Sequence, residues 1–237
     1  MTAPLVFLPG WCVGRGPELA AVDALKGTIL DLPGYRDAPL VADFYAAADE
    51  IAARLQPRTH LCGWSLGAQM ALAIAARAPE KVGKLVLIAG TGSFVQRAGW
   101  PHAMPPEILA EFAANVATDI GAILPRFVGG FNRGDARAKE VTRILLDLAD
   151  PLPPAATLAT GLGWLREVDL RPLAPLVTAP TLLVHGANDP LMPLPAAEAL
   201  AALIPGSRLA TFADCAHAPF ISRPEEFLER VQAFLNE

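Results

Sequence analysis

A serine in a predicted strand-to-helix turn is the residue of this chain with the clearest potential for chemistry. Residues 63–67 read Gly-Trp-Ser-Leu-Gly, so Ser65 has a glycine two positions away on either side. The apolar run 59–62 predicts a buried strand, and the Ala-rich run 66–77 predicts a helix that ends before Pro79. This arrangement is typical of the nucleophile elbow, a sharp turn that presents a serine hydroxyl for attack. The N-terminus of the helix also offers free N–H groups to a developing oxyanion.

Nucleophilic attack by Ser65 requires a histidine that accepts its proton and an acid that orients the histidine. His217 is the candidate base, because it follows the last predicted strand by a few residues. Asp189 is the candidate acid, in the loop after the penultimate predicted strand, although Asn, Asp, Gly and Pro in that loop are also typical of a simple turn. Asp214 lies nearer to His217 in the chain, but we prefer Asp189, since close neighbours on one loop seldom face the same ring nitrogen.

The other three histidines are less well placed. His60 begins the strand before Ser65 and so lies at the wrong end of the sheet, His102 lies between prolines, and His185 ends a buried strand. His217 therefore stays the candidate base.

An oxyanion requires two backbone N–H donors. Leu66 follows the nucleophile and should supply one of them. The loop after the first strand should supply the other, and Gly10 permits the close approach that makes the N–H of Trp11 the candidate. The Trp11 ring is also expected to cover the core. Residues 31–35 read Asp-Leu-Pro-Gly-Tyr and are interpreted as a structural turn.

Short apolar runs alternate with helical patterns in both halves of the chain, which predicts a parallel sheet buried on both faces. The predicted strands are 5–8, 28–32, 59–62, 85–89, 181–185 and 207–212. The predicted helices between and after them are 41–55, 66–77, 196–203 and 224–235.

Strand signals vanish in the middle of the chain. We therefore predict a core formed by residues 1–93 and 169–237, with residues 94–168 inserted as a helical lid. Prolines and glycines are expected to break the lid helices at Pro101, Pro105-Pro106, Pro125, Gly129-Gly130 and 151–154.

Composition bounds the class of protein. The 237 residues are 53% hydrophobic and 18% charged, which suits one globular domain, and the net charge of −5 with no basic tail argues against a nucleic-acid partner. No leader and no run of membrane-spanning length is evident, so we expect no membrane insertion. Three cysteines form no C-x-x-C pair, which favours a reducing, cytoplasmic location. We expect a monomer with no metal and no cofactor.

Three stretches make the chain resemble the α/β-hydrolase superfamily over essentially its full length, and within it the pimeloyl-[acyl-carrier-protein] methyl ester esterases of biotin synthesis. They are residues 63–67, residues 8–11 (Leu-Pro-Gly-Trp) and residues 216–224 (Ala-His-Ala-Pro-Phe-Ile-Ser-Arg-Pro). Residues 168–171 at the end of the lid are also similar. The resemblance implies an α/β-hydrolase fold with a lid after the strand that follows the nucleophile helix, and hydrolysis of the methyl ester of a pimeloyl chain on an acyl carrier protein.

The resemblance also implies site residues. Ser65, Asp189 and His217 match the catalytic triad, and Trp11 and Leu66 match positions that contact the substrate beside the oxyanion. The lid stretch that begins at Arg126 matches a substrate-binding segment. Its expected channel-lining residues are Phe127, Val128, Gly129, Gly130 and Phe131.

The chain departs from the family pattern at several positions. Pro9 stands where the family usually has histidine, Cys12 stands where a small residue is usual, and Gly129-Gly130 replaces bulkier residues. Only four residues precede the first strand, so the usual leading hairpin is missing or reduced.

A basic cluster favours an acidic partner independently of the resemblance. Between residues 126 and 143 the chain has five basic residues and only two acidic ones, Asp135 and Glu140. An acidic acyl carrier protein would be attracted to such a surface, although the same pattern also fits a solvated helix face. The candidate docking residues are Arg126, Arg133, Arg137, Lys139 and Arg143.

Three other functions stay open at this stage. The first is a broad carboxylesterase for short acyl esters that needs no carrier protein. The second is another reaction of the same fold, such as carbon–carbon bond hydrolysis or perhydrolysis. The third is a ligand receptor that lacks catalysis, which a serine-directed phosphonate would distinguish by its failure to label Ser65.

Overall fold

The computed structural model describes residues 3–237, in which six strands form one parallel sheet. The strands are β1 (Leu5–Leu8), β2 (Thr28–Ile29), β3 (Thr59–Trp64), β4 (Val82–Ile88), β5 (Thr181–Gly186) and β6 (Arg208–Phe212). Their order across the sheet is β2-β1-β3-β4-β5-β6, and every pairing is parallel. The predicted parallel sheet is confirmed.

Helices cover the sheet and connect its strands. They are α1 (Leu19–Ala24), α2 (Phe44–Arg54), α3 (Leu66–Arg77), α4 (Pro106–Phe131), α5 (Ala138–Leu148), α6 (Ala155–Glu167), α7 (Leu194–Leu203), α8 (Pro219–Ser222) and α9 (Pro224–Asn236). The central strands β3, β4 and β5 are mostly apolar and buried, as strands covered on both faces should be.

Several element boundaries differ from the sequence predictions: β4, for example, was expected over 85–89 and spans Val82–Ile88. β2 was expected over 28–32 but ends at Ile29, and the Leu30 N–H still donates to the Phe7 carbonyl of β1 at 3.0 Å. α2 was expected from residue 41 but begins at Phe44, because the Asp43 carboxylate accepts the N–H of Ala46 at 2.7 Å and caps the helix.

The strand register aligns the carboxyl ends of β1, β3 and β4 at one edge of the sheet. Leu8 of β1 pairs with Gly63 of β3, and Gly63 pairs with Leu87 of β4. The loops that follow β1, β3, β5 and β6 therefore meet at the carboxyl edge, where ligands of open α/β sheets bind.

Residues 94–168 contain α4, α5 and α6 and lie between β4 and β5 in the chain. The two ends of this segment lie side by side, because Ser93 and Asp169 form an antiparallel bridge and the Leu170 N–H donates to the Gly92 carbonyl at 2.7 Å.

The break in α4 is not where the sequence predicted it. The helix continues through Pro125 and Gly129-Gly130, and the backbone leaves helical geometry at Asp119 (φ −158°, ψ 88°). Asp119 accepts the N–H of Ala122 at 3.1 Å and so caps the second half, whereas a proline removes only one backbone donor.

α4 is also long and apolar enough to cross a membrane by length and composition, contrary to the expectation that no run reaches that length. The kink at Asp119 divides the helix into two parts, and neither reaches the roughly 20 residues that a span needs. Its apolar side chains Leu109, Phe112, Phe127 and Phe131 line a cavity beneath the helix.

Candidate active site

Ser65 occupies a strained turn between β3 and α3. Its φ of 56° and ψ of −116° fall outside the regions that non-glycine residues ordinarily adopt. The turn also demands both neighbouring glycines. A Cβ at Gly63 would overlap the Gly67 carbonyl, and a Cβ at Gly67 would overlap the Leu8 carbonyl. The sequence therefore folds into an elbow that places Ser65 on the wall of a cavity at the carboxyl edge of the sheet.

His217 and Asp189 form a buried pair beside this elbow. The ring Nδ1 of His217 lies 2.7 Å from Oδ2 of Asp189, and both side chains are almost fully buried. A carboxylate only accepts hydrogen bonds, so Nδ1 carries the proton and Nε2 of the neutral ring is left as the acceptor. The other oxygen, Oδ1, accepts the backbone N–H groups of Leu191 and Met192, both at 2.9 Å.

The rival acid and two of the other histidines lie elsewhere. Asp214 is exposed, and its backbone carbonyl accepts the N–H of Ala136. His60 is the second residue of β3, at the amino end of the strand, and His102 is exposed in the 94–168 segment.

Ser65 and His217 line the same cavity, although the Ser65 hydroxyl makes no hydrogen bond within the described residues 3–237. Hydrogen bonds of this kind often tighten only when substrate binds. Ser65 and His217 therefore line one cavity, and the carboxylate of Asp189 behind them orients the imidazole.

The two predicted oxyanion donors flank the elbow. Over the described chain, the backbone N–H groups of Trp11 and Leu66 have no hydrogen-bond acceptor. The loop carrying Trp11 comes close to the elbow, since a Cβ at Gly10 would lie 2.9 Å from the Trp64 ring. The Trp11 indole does more than cover the core, because its Nε1–H donates to the Leu158 carbonyl of α6 at 3.1 Å.

The cavity above Ser65 has a volume of about 530 Å³ and is mostly apolar. Its lining includes Trp11, Ile108, Phe112, Phe127, Phe131 and Leu162, with Arg126 and Arg133 as charged members. This is the size and chemistry of a small-molecule site with few polar groups.

The predicted channel stretch is only partly on the cavity. Phe127, Gly130 and Phe131 line it, but Val128 is fully buried and Gly129 faces Thr142 of α5. The helical period explains the difference, since positions i, i+3 and i+4 share a face while i+1 and i+2 do not.

His185 contacts the loop after β5, which carries Asp189 and is called the acid loop, and the sequence did not predict this contact. Its Nε2 donates to the Met192 carbonyl at 2.6 Å and lies 3.8 Å from Oδ2 of Asp189. Burial is the main cause that lowers the pKa of His185, so the ring stays neutral. Its position four residues before Asp189 is the sequence signal that could have found it.

Trp64 connects the loop after β6, which carries His217 and is called the base loop, to the loop after β1, which carries Trp11 and is called the oxyanion loop. Its Nε1–H donates to the His217 carbonyl at 2.9 Å, and its ring lies 5.6 Å from the His217 ring and against Gly10. A tryptophan before the nucleophile therefore holds the backbone on which the histidine sits.

Asp135 ties the 94–168 segment to the same histidine loop. One carboxylate oxygen accepts the N–H of Ala216 at 3.0 Å, and the other accepts the Ser222 hydroxyl at 3.0 Å and the Arg137 N–H at 2.7 Å. Its partner Ala216 is 81 residues away, so no local sequence signal could reveal this contact.

The basic cluster divides into paired and unpaired side chains. Arg137 donates to Glu140 and to the Ser222 carbonyl, and Arg143 pairs with Asp147 at 2.9 Å. In the described part of the chain, Arg126, Arg133 and Lys139 form no ion pair.

A parallel sheet with a serine elbow and a buried His–Asp pair defines the class of serine hydrolases built on this sheet. The Alpha/beta hydrolase family pattern matches residues 5–230, so the chain belongs to that family and is a hydrolase.

Individual relatives of this chain carry the name of one kind of esterase. The chain is 38% identical over 233 residues to the pimeloyl-[acyl-carrier protein] methyl ester esterase of Nitrosomonas europaea, covering 94% of this chain and 92% of that protein. It is 39% identical to the protein of the same name from Aromatoleum aromaticum, with 94% of each covered. Among solved structures, an esterase from Exiguobacterium antarcticum superimposes with a TM-score of 0.86 and 25% identity, covering 99% of this chain and 92% of that one.

Proposed function

We propose that this chain is a serine carboxylesterase that hydrolyses the methyl ester of pimeloyl-acyl carrier protein to pimeloyl-acyl carrier protein and methanol, a step of biotin synthesis. The observation that carries the proposal is the strained Ser65 and the buried His217–Asp189 pair around one apolar cavity. The relatives of that name, at 38% and 39% identity, support the substrate.

The proposed mechanism proceeds in two halves. His217 Nε2 takes the Ser65 proton while Oγ attacks the ester carbonyl, and the N–H groups of Trp11 and Leu66 stabilise the oxyanion by about 3–4 kcal/mol each. The carbon–methoxy bond then breaks, His217 protonates the methoxide, and methanol leaves an acyl-enzyme. Water attacks that ester with His217 as base, which releases the acid and restores the Ser65 hydroxyl. Asp189 keeps the imidazole in the required tautomer throughout.

The cavity suits a methylene chain bearing a small ester. Its aromatic and aliphatic walls remove the chain from water, and each buried methylene contributes about 0.8 kcal/mol. We propose residues 94–168 as the lid over this chain, with the core formed by residues 1–93 and 169–237. Phe127, Gly130 and Phe131 would contact the acyl group.

The unpaired cations Arg126, Arg133 and Lys139 are the part of the basic cluster best suited to dock an acidic carrier protein. Arg126 and Arg133 also line the cavity. A carrier protein bound to these two side chains would therefore lie beside the cavity into which its acyl chain must enter. Arg137 and Arg143 already have acidic partners in the structure. The proposal includes a cytoplasmic monomer, and the free, buried Cys12, Cys62 and Cys215 suit a reducing location.

Charge reversal at Arg133 and Lys139 tests carrier docking against the broad-esterase alternative. We expect R133E/K139E to lower kcat/KM for the carrier-bound ester at least roughly tenfold while changing a short free acyl ester less than about threefold, because docking charges steer association. K26E/R58E is the matched control, because Lys26 and Arg58 are also exposed, form no ion pair among the described residues and precede β2 and β3 at the amino edge of the sheet. Equal effects of the two variants on the carrier-bound ester would contradict docking and favour the broad esterase.

A further inference from the structure

The loop after β1 contains a strained turn centred on Cys12. Its φ is 66°, in the left-handed region that costs a non-glycine residue about 1–2 kcal/mol. The Val13 N–H donates to the Trp11 carbonyl at 3.0 Å, two residues back. An i to i+2 hydrogen bond around a residue of positive φ is the rare, strained form of the γ-turn. Such a turn persists only where its surroundings fix it.

Tyr35 supplies a hydrogen bond that fixes this turn. Its hydroxyl accepts the backbone N–H of Cys12 at 2.9 Å, although the two residues are 23 positions apart. The Tyr35 side chain is buried, and its own backbone is held by a turn in which its N–H donates to the Leu32 carbonyl. Residues 31–35 are predicted from the sequence to be a structural turn, and this contact places the Tyr35 hydroxyl against the loop that carries Trp11.

The peptide between Trp11 and Cys12 is therefore held at both polar groups. Tyr35 accepts its N–H and the Val13 N–H binds its carbonyl, so the plane of this peptide cannot rotate without breaking a buried hydrogen bond. The orientation of that plane is set by the backbone of Trp11, whose own N–H is the proposed oxyanion donor. Fixing the peptide after Trp11 thus restricts where the Trp11 N–H points.

We propose that Tyr35 is a positioning residue of the esterase: its hydroxyl holds the strained turn at Cys12 and so aims the Trp11 N–H at the oxyanion. The inference rests on the proposed function, because it assumes that Trp11 is an oxyanion donor. Tyr35 does not line the cavity and acts only through the backbone of the loop.

Tyr35→Phe is the direct test, because it deletes one oxygen and keeps the ring. We expect kcat for a short acyl ester to fall roughly ten- to hundredfold with KM changed less than about threefold, since a misaimed donor is lost mainly in the transition state. Inactivation by a serine-directed phosphonate should slow in parallel, because its phosphoryl oxygen occupies the oxyanion position. Tyr45→Phe is the matched control at the other tyrosine of the chain and should leave both rates unchanged.

A double-mutant cycle with Cys12→Gly separates positioning from general destabilisation. Glycine adopts a φ of 66° without strain, so the turn should need the clamp less. We expect Y35F to cost less than about threefold in kcat in the C12G background. Equal costs in both backgrounds, or a Y35F enzyme with unchanged kcat, would overturn the inference.

The outcomes also separate this inference from the proposed function. An active S65A variant would contradict the esterase proposal itself. A dead S65A variant together with a fully active Y35F variant would contradict only the role of Tyr35.

Discussion

Backbone strain in this protein collects where the chemistry is proposed. Among the described residues, seven non-glycine residues have positive φ, and four of them follow the carboxyl ends of strands. They are Cys12 after β1, Ser65 after β3, Ala89 after β4 and Asp214 after β6. Strained residues persist only when packing over-determines them, and such residues cluster at functional sites. Packing in this protein therefore holds a strained backbone at the elbow and in the loops that surround it.

Asp189→Asn tests the acid at the scale of a single residue. The amide keeps the shape but favours the wrong imidazole tautomer, so kcat should fall by a factor on the order of 10⁴ with the fold intact. Steady-state kinetics on a short acyl ester measures the change. Asp214→Asn is the matched control and should change kcat less than about threefold, because Asp214 is exposed. A larger loss for D214N than for D189N would reverse the assignment.

The 94–168 segment contacts the three loops that carry the proposed oxyanion donor Trp11, the proposed base His217 and the proposed acid Asp189. The Trp11 indole donates to Leu158 of α6, Asp135 accepts the Ala216 N–H, and the Asn188 side chain donates to the Gly134 carbonyl at 2.9 Å. A displacement of this segment would therefore break contacts to the oxyanion loop, the base loop and the acid loop. These contacts lead us to expect that the 94–168 segment supports the site.

Asp135→Ala tests that support. Removing the carboxylate leaves the Ala216 N–H and the Ser222 hydroxyl without their acceptor, and each buried orphan group costs about 1–3 kcal/mol. We expect the free energy of unfolding to fall by roughly 2–4 kcal/mol and kcat to fall with it, as measured by urea unfolding and ester kinetics. Asp147→Ala, which removes an exposed ion pair, should cost less than about 1 kcal/mol. Equal free energies of unfolding for the two variants would contradict the supporting role of Asp135.

Local patterns predicted more of this protein than distant contacts did. The strand, elbow and helix around Ser65 follow from neighbouring residues, since glycines at 63 and 67 and an Ala-rich run suffice to define them. The kink at Asp119 was missed because proline and glycine are stronger breakers in general than a capping aspartate. The contacts of Tyr35 and Asp135 depend on tertiary packing, which no window of sequence contains.

At the scale of the whole molecule, one buried carboxyl opposes stability. Glu18 is almost fully buried and neither carboxyl oxygen has a hydrogen-bond partner among the described residues. Burial raises the pKa of Glu18 well above its ordinary value of 4.5, so the folded chain keeps this proton. The unfolded chain releases the proton above pH 4.5. The folded state therefore binds more protons, and its stability falls as pH rises above that value.

Glu18→Gln should remove this pH dependence. We expect the free energy of unfolding of the variant to exceed that of the wild type in urea titrations, by a margin that grows as pH rises above 4.5, the ordinary pKa of this carboxyl. Glu198→Gln, at an exposed position of α7, is the control and should follow the wild-type curve. Parallel curves for E18Q and the wild type would show that Glu18 does not titrate as its burial predicts.

The central claim is that Ser65 hydrolyses a methyl ester carried on an acyl carrier protein. Its most direct measurement is the intact mass of pimeloyl-acyl carrier protein methyl ester after incubation with the wild type or with S65A. We expect the wild type to lower the carrier mass by one methylene and to release methanol, while S65A, folded as judged by circular dichroism, leaves the mass unchanged. Conversion by S65A at the wild-type rate, or no conversion by the wild type, would contradict it.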